Sequence, residues 1–374
     1  MKQFVYADNA ATTQLDTDAF EAMKPFFLGE YGNASQPYSF ARTAKKALKE
    51  SRETIARCIG ATPEEIFFTS GGTESNNWAV KGSAFSDSNK RVTITSSIEH
   101  HAILRPCADI ERMGYPVSYL PVDINGVVTA KTLSEYIREN TRLVSVMMAN
   151  NEIGSIQDIS ALASVAHSYG ATFHTDAVQA VGHIEIDVNA LSVDMLSASA
   201  HKFNGPKGVG FLYVRKDTAL APYASGGVQE GGMRAGTENI ASIVGMAVAL
   251  EKNINKMDKI TAHIEMLESM LLQRLSESNI SFSRNGSEKH IPGNISLSFP
   301  GYDGEALLHR LDLMGICVST GSACDSKETK VSHVLRAIGL NSDLAKGTIR
   351  LSLGKSNTEQ DIDAIVDALK GIMK

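Results

Sequence analysis

The chain has 374 residues, 36 of them basic and 42 acidic, for a net charge of −6. Its 43% apolar and 21% charged content is that of a globular protein, which excludes a long disordered chain. The slight negative balance speaks against nucleic acid or an anionic membrane as the main partner.

From the N-terminus, residues 1–10 carry an early Asp8 and no apolar run, so no signal peptide is expected. Four runs rich in β-formers follow at 66–70, 91–95, 143–148 and 171–175, then two more at 195–198 and 210–214. Between several of them lie helical patterns, at 73–84, 101–113 and 159–169. Strands alternating with helices predict a mostly parallel sheet covered by helices on both faces. In such sheets ligands bind beyond the carboxyl ends of the strands, so polar residues just after each run are the ones to examine. The positions Arg42, Lys45, Lys46, Lys49 and Arg52 share helical spacing and read as one solvated face.

After a glycine-rich stretch (Gly226, Gly227, Gly231, Gly232, Gly236) a long helical region is expected at about 238–276. Its longest nearly apolar stretch, 240–250, is far short of the ~20 residues a membrane span needs. A cytoplasmic protein is the expectation. The last hundred residues read as strand, strand, helix, strand, helix, strand, helix, a smaller α+β domain, with Thr358 and Asp361 as the capping start of the final helix. The expected division is a large domain at 15–255 and a small domain made of 1–14 with 256–374.

Four features fall at strand ends. Thr69 to Asn76 is a strand, a Gly71-Gly72 turn and a helix start, where backbone N–H groups and the positive end of the helix dipole can hold an anion. Alone it reads more readily as an ordinary strand–helix turn with Thr73 or Ser70 as its cap. Asp176 stands just past a buried strand, where acids commonly cap helices. Lys202, among small residues and before Gly205-Pro206, is poorly placed for solvation, and a desolvated lysine can form Schiff bases. Cys324 sits among serines, glycine and alanine, a composition unlike a core and open to thiolate chemistry on an exposed loop. Cys58, Cys107 and Cys317 have apolar or helical neighbours and read as buried thiols. No C-x-x-C pair or other metal-ligand spacing occurs, and the adjacent His100 and His101 are expected on different sides of a helix start. An anion-binding turn, a strand-end acid and a strand-end lysine, in that order, are what pyridoxal phosphate requires for its phosphate, its ring nitrogen and its aldehyde.

Several further stretches carry a family resemblance: Tyr-Ala-Asp-Asn-Ala-Ala-Thr-Thr at 6–13, Tyr-Gly-Asn at 31–33, Glu99-His100, Asn-Asn-Glu-Ile-Gly at 150–154 and Asp-Ala-Val-Gln at 176–179. Ser-Ala-His-Lys-Phe-Asn-Gly-Pro-Lys-Gly at 199–208, Arg-Ala-Gly-Thr at 234–237, 319–324 and Ile-Arg-Leu-Ser-Leu at 349–353 complete the set. Over its whole length the chain resembles the NifS/IscS-type (group I) cysteine desulfurases, pyridoxal-phosphate enzymes of fold type I. The resemblance implies an α/β fold whose large domain holds a mostly parallel seven-stranded sheet between helices. It also implies a homodimer, L-cysteine as substrate, and a sulfur-acceptor protein as partner. Lys202 would bind the cofactor aldehyde, Asp176 the ring nitrogen and Gln179 the phenolate oxygen, with His100 stacked on the ring. Gly72, Thr73, Ser199 and His201 would hold the phosphate, joined by Thr237 from a second subunit. Asn33, Asn151 and Arg350 would bind the substrate carboxylate, and Cys324 would take the sulfur as a persulfide, releasing alanine. Two departures stand out: Ala34-Ser-Gln-Pro-Tyr38 replaces the family's usual Pro-Ser-Ser-x-His, and Lys374 follows closely on the last helix without a C-terminal extension. Selenocysteine lyase and other pyridoxal-phosphate transfers remain alternatives, and so does a non-catalytic protein that keeps the fold.

Overall fold

The computed structural model describes residues 4–86, 89–320 and 331–373. Its strands are β1 (Val5–Tyr6), β2 (Ile66–Thr69), β3 (Val92–Ser96), β4 (Val117–Leu120), β5 (Thr141–Ser145), β6 (Thr172–Asp176), β7 (Met195–Ser199), β8 (Gly210–Val214), β9 (Ser283–Asn285), β10 (Asn294–Ser298), β11 (Ile316–Cys317) and β12 (Thr348–Ser352). The helices are α1 (Thr17–Met23), α2 (Pro25–Leu28), α3 (Arg42–Cys58), α4 (Gly72–Phe85), α5 (His101–Arg112), α6 (Ala130–Tyr136), α7 (Ile159–Ser168), α8 (Ile240–Asn255), α9 (Met257–Glu277), α10 (Gly304–Leu313), α11 (His333–Ala337), α12 (Ser342–Lys346) and α13 (Glu359–Ile372). No helix among the described residues is long and apolar enough to cross a membrane.

Strands β2 to β8 form one seven-stranded sheet in the order β2-β8-β7-β6-β5-β3-β4, parallel except where β8 pairs with β7 and β2. Successive side chains of a strand point to opposite faces, and the core follows that alternation. Ile94, Val144, Phe173, Leu196 and Phe211 pack with α3, α7 and α8 on one face. Leu143, Met195 and Leu212 pack with Trp78 of α4 and Ile103 of α5 on the other. Trp78 is fully buried, and its Nε1 donates to the carbonyl of Ala221 at 2.9 Å. Burial of both faces explains why these strands read as apolar runs rather than strict alternation.

A second hydrophobic cluster lies among β10, β12, α9, α10 and α13, and it includes Val5 and Ala7 from the N-terminus. Here β9, β10 and β12 form a three-stranded antiparallel sheet, while β1 pairs in parallel with β11. The Thr358–Asp361 capping box forms as expected at α13. The expected long helix at 238–276 is instead two, α8 and α9, broken at Lys256, whose backbone N–H turns back to Asn253 and Ile254. The short strand β4 and the helix α12 were not anticipated.

The solvated face of α3 holds in part. Lys46 and Lys49 make loose surface pairs with Glu50 and Glu53. Arg52 departs from it: its guanidinium binds both oxygens of Glu230, at 2.8 and 2.7 Å, and lies over the ring of Phe68. A bidentate pair and a ring face anchor it inward, which helical spacing alone cannot reveal.

Candidate active site

The parallel strands all end on one edge, and β2 runs with them, so the turns after β2, β3, β5, β6 and β7 converge there. They border a cavity of about 390 Å³ with Gly72, Thr73, His100, Asn151, Asp176, Gln179, Ser199, His201, Lys202 and Arg350 in its wall. Asn33 and Thr237 are not among its lining residues. Asn33 instead uses its side-chain oxygen to accept from the N–H of Ser35 at 2.9 Å, and Thr237 is exposed. Cys324 lies outside the described residues, but Ser319 and Thr320, shortly before it in the chain, belong to the cavity wall.

Each side chain is placed by its turn. Gly71 begins α4 with φ of 143°, a conformation that favours glycine, and a Cβ there would sit 3.3 Å from the Ser199 hydroxyl. A Cβ on Gly72 would come within 2.5 Å of Val178, so no side chain fits there, and Gly72 itself borders the cavity. After β7 a single 3₁₀ turn, Ala200–Lys202, aims Lys202 at the cavity, and Gly205 closes the turn by donating to Ala200 at 2.8 Å. Lys202 Nζ donates to the carbonyls of Ala10 (2.6 Å) and Ala11 (2.8 Å). The Gln179 amide donates to Ala10 as well, at 3.0 Å. His201 packs its Nδ1 3.1 Å from the Thr12 hydroxyl, and burial lowers its pKa to about 4, leaving it neutral.

Asp176 is 4% exposed. Burial pushes its carboxyl up, opposed by the N–H of Val178 at 3.0 Å, by His100, and by the Asn76 amide at 2.6 Å. His100 caps α5: its Nδ1 accepts from Ala102 N at 3.1 Å, so a neutral ring carries its proton on Nε2. Burial lowers the His100 pKa, Asp176 raises it, and Lys202 lowers it. Arg350, in the middle of β12, extends one Nη to the carbonyl of Asn151 (2.8 Å) and the other to Asp8 (2.6 Å). Its Nε is buried and without a hydrogen-bond partner among the described residues.

These groups fit pyridoxal phosphate. A carboxyl whose pKa burial pushes up gains from a cationic ring nitrogen beside it. A helix start stripped of side chains suits a phosphate, flanked by Thr73, Ser199 and His201. An amine at Lys202 suits an aldehyde.

Sequence reasoning missed Asp8, Asn76 and the carbonyls of Ala10 and Ala11, although two quoted stretches contain them. Their signal is a residue type whose partner lies far along the chain. It also missed His333, which borders the cavity with its ring 5.1 Å from His101. The expectation that His100 and His101 point to different sides is corrected, since both border the same cavity. One caps the helix from outside and the other starts it, so the turn has not yet separated them. Of the three described cysteines, burial raises Cys58 to about 11, Cys107 to about 12, and Cys317 above its usual value. As neutral thiols they are poor nucleophiles.

A strand-end lysine, a buried acid and a naked helix start around one cavity define a pyridoxal-phosphate enzyme. The chain belongs to the class-V aminotransferase family, whose model matches residues 5–365. It is 48% identical to the cysteine desulfurase IscS of Dictyoglomus turgidum over 376 residues, covering 100% of this chain and 95% of that one. The IscS of Methanosarcina thermophila is 43% identical, over 99% and 92% of the two chains. Among solved structures, a NifS-like protein superposes with a TM-score of 0.93 at 38% identity, covering 99% of each chain. SspA, solved in complex with cysteine, gives 0.84 at 37% identity, over 95% of this chain and 100% of that one.

Proposed function

We propose that this protein is a cysteine desulfurase, which takes sulfur from L-cysteine, leaves L-alanine, and passes the sulfur through Cys324 to an acceptor protein. The observation that carries the reading is shared geometry. The cavity bordered by Lys202, His100 and Arg350 is also bordered by Ser319 and Thr320, the backbone that leads to Cys324. Relatives named cysteine desulfurase and a neighbour solved with cysteine support the substrate.

When bound, pyridoxal phosphate acts as an electron sink that acidifies the Cα–H of cysteine and weakens its Cβ–S bond. Asp176 holds a proton at the ring nitrogen, and the helix start with Thr73, Ser199 and His201 holds the phosphate. Arg350 Nη and Asn151 orient the substrate carboxylate. Lys202 Nζ, once freed, is steadied by the carbonyls of Ala10 and Ala11 and can carry the Cα proton. His100 Nε2 can exchange a proton on the cavity side. In the sulfur step an S–S bond forms at Cys324 as Cβ–S breaks. The thiol proton ends on Cβ, so cysteine and a thiol become alanine and a persulfide with nothing oxidised from outside.

The acceptor is read as an iron–sulfur scaffold or a thiolation enzyme, and the setting as cytoplasmic. A homodimer is proposed too, because Leu28 and Val228 are 85% and 84% exposed and Thr237 lies off its own chain's cavity. Residues 15–255 are read as the large domain, and 1–14 with 256–374 as the small one, in keeping with Val5 and Ala7 packing in the second cluster.

The test is a visible spectrum of purified protein before and after L-cysteine, with alanine and sulfide assayed under reductant. A band that shifts with cysteine and yields both products supports the reading. A band without alanine refutes the substrate, and no band after adding pyridoxal phosphate refutes the enzyme. Cys324→Ala should lose sulfur transfer; if it releases alanine from cysteine like the parent, another nucleophile is at work.

A further inference from the structure

Glu99 is fully buried beside His100 and has no part in the mechanism above. Its Oε1 accepts from the Ser96 hydroxyl at 2.6 Å and from the N–H of Met147 at 2.9 Å, while Oε2 has no hydrogen-bond partner among the described residues. Its backbone carbonyl accepts from Nε2 of His333 at 2.9 Å. One residue thus joins the end of β3, the turn after β5 and the start of α11. Two more bonds follow the same seam: the Asn150 amide donates to the carbonyl of Ile98 at 2.9 Å, and the Ser332 hydroxyl to Glu152 at 2.5 Å. Burying a carboxyl is costly, and an apolar side chain would avoid that cost but would leave Met147 N–H without its acceptor.

We propose that Glu99 is a positioning residue for the desulfurase reaction: its carboxyl locks together the two turns that carry His100 and Asn151, and its carbonyl seats α11 against them. The inference rests on the desulfurase reading, from which His100 and Asn151 take their roles. Burial pushes the Glu99 carboxyl up to about 8; Ser96 and Met147 work against this, and Asp176 adds to it. Glu99 is therefore held toward the neutral acid near pH 7, with Oε1 the oxygen that accepts both bonds. Titratable groups near it include Asp176 and Cys107, which act on its carboxyl electrostatically, His100 next in the chain, and His333 on its carbonyl. Of these, Asp176 repels the ionised form directly. The folded state holds a proton here that the unfolded chain has already lost, so stability falls as pH rises toward 8 and the loss is complete above it. Glutamine keeps the acceptor oxygen and cannot ionise.

The experiment compares the parent, Glu99→Gln and Glu99→Ala. Melting temperatures of the cofactor-free proteins are taken from pH 6 to 9, and alanine formation from L-cysteine is followed over the same range. The parent should melt lower and turn over more slowly toward pH 9, and Glu99→Gln should flatten both curves. Glu99→Ala should lose ~10- to 100-fold in kcat at pH 7, the scale of a misplaced catalytic group. Unchanged pH courses in Glu99→Gln, or parent-like kcat in Glu99→Ala, would overturn the proposal. If Glu99→Ala does not fold, the glutamine comparison decides alone. A parent that makes no alanine refutes the desulfurase reading instead, and the cofactor-free melts still test the seam.

Discussion

Replacing Arg350 by alanine should abolish the enzyme's preference for a substrate that carries a carboxylate. Arg350 is 7% exposed, its main chain is fixed on both sides by Ser296 and Ser319, and its two Nη atoms already face Asn151 and Asp8. A bound carboxylate gains charge-assisted bonds worth about 1.5–3 kcal/mol each. Because Asp8 competes for the same guanidinium, a net of about 3–4 kcal/mol is the reasonable sum, or ~10²–10³-fold in kcat/KM. The loss should fall mainly on KM, since the carboxylate is bound before and during the reaction alike. The assay is a spectral titration of parent and Arg350→Ala with L-cysteine and with cysteamine, which lacks the carboxylate. The parent should bind cysteine far more tightly, and the variant should bind both alike. If the variant discriminates as the parent does, while still folded and cofactor-loaded, Arg350 does not hold the carboxylate.

Lys202→Ala should bind pyridoxal phosphate without the lysine-linked visible band and lose alanine formation; a band like the parent's would place the cofactor elsewhere. Asp176→Ala should weaken cofactor binding at least ~10-fold, measured by equilibrium titration, because the ring nitrogen loses its anion and the Asn76 amide its acceptor. Burial pushes Asp16 up, but hydrogen bonds from Lys252 and Lys355 outweigh it and bring its pKa down to about 2. Its stabilisation is thus present above the ordinary carboxyl range and lost as pH falls through about 2. The melting difference between the parent and Asp16→Asn should therefore shrink from pH 5 to 2, and a constant difference would contradict this. Leu28→Glu with Val228→Glu should convert a dimer to monomers in sedimentation; an unaltered dimer would place its interface elsewhere.

The sheet was legible because its strands are buried on both faces and so appear as short runs such as 210–214, which β8 reproduces residue for residue although it runs antiparallel to its neighbours. Asp176 and Lys202 were legible as cavity residues because each stands at or just past the end of its strand, on the edge where the cavity lies. What the sequence hid depends on partners brought together only by folding. Arg52 looked like one more solvated lysine-type position until Glu230 met it. β4 escaped notice because an edge strand, half-buried at Val117 and Ser118 and exposed at Tyr119, shows no apolar run. The break at Lys256 carries neither glycine nor proline, so no breaker announces it.

The grip on Lys202 also bears on how the protein is made. Ala10 and Ala11 leave the ribosome early, yet Ala10 is tied by its N–H to the hydroxyl of Ser352 at 2.9 Å, and Asp8 to Arg350. Those partners are synthesised some 340 residues later. A nascent chain can build the seven-stranded sheet and rest residues 10–13 on Gln179 and His201 before β12 exists, but the bonds from Ala10 to Ser352 and from Asp8 to Arg350 must wait until then. Long-range closures of this kind are slow and come last. The segment that grips Lys202 is therefore tied on its second side only when synthesis is nearly over, so a truncated product would carry the sheet with Asp8 and the Ala10 N–H still untied.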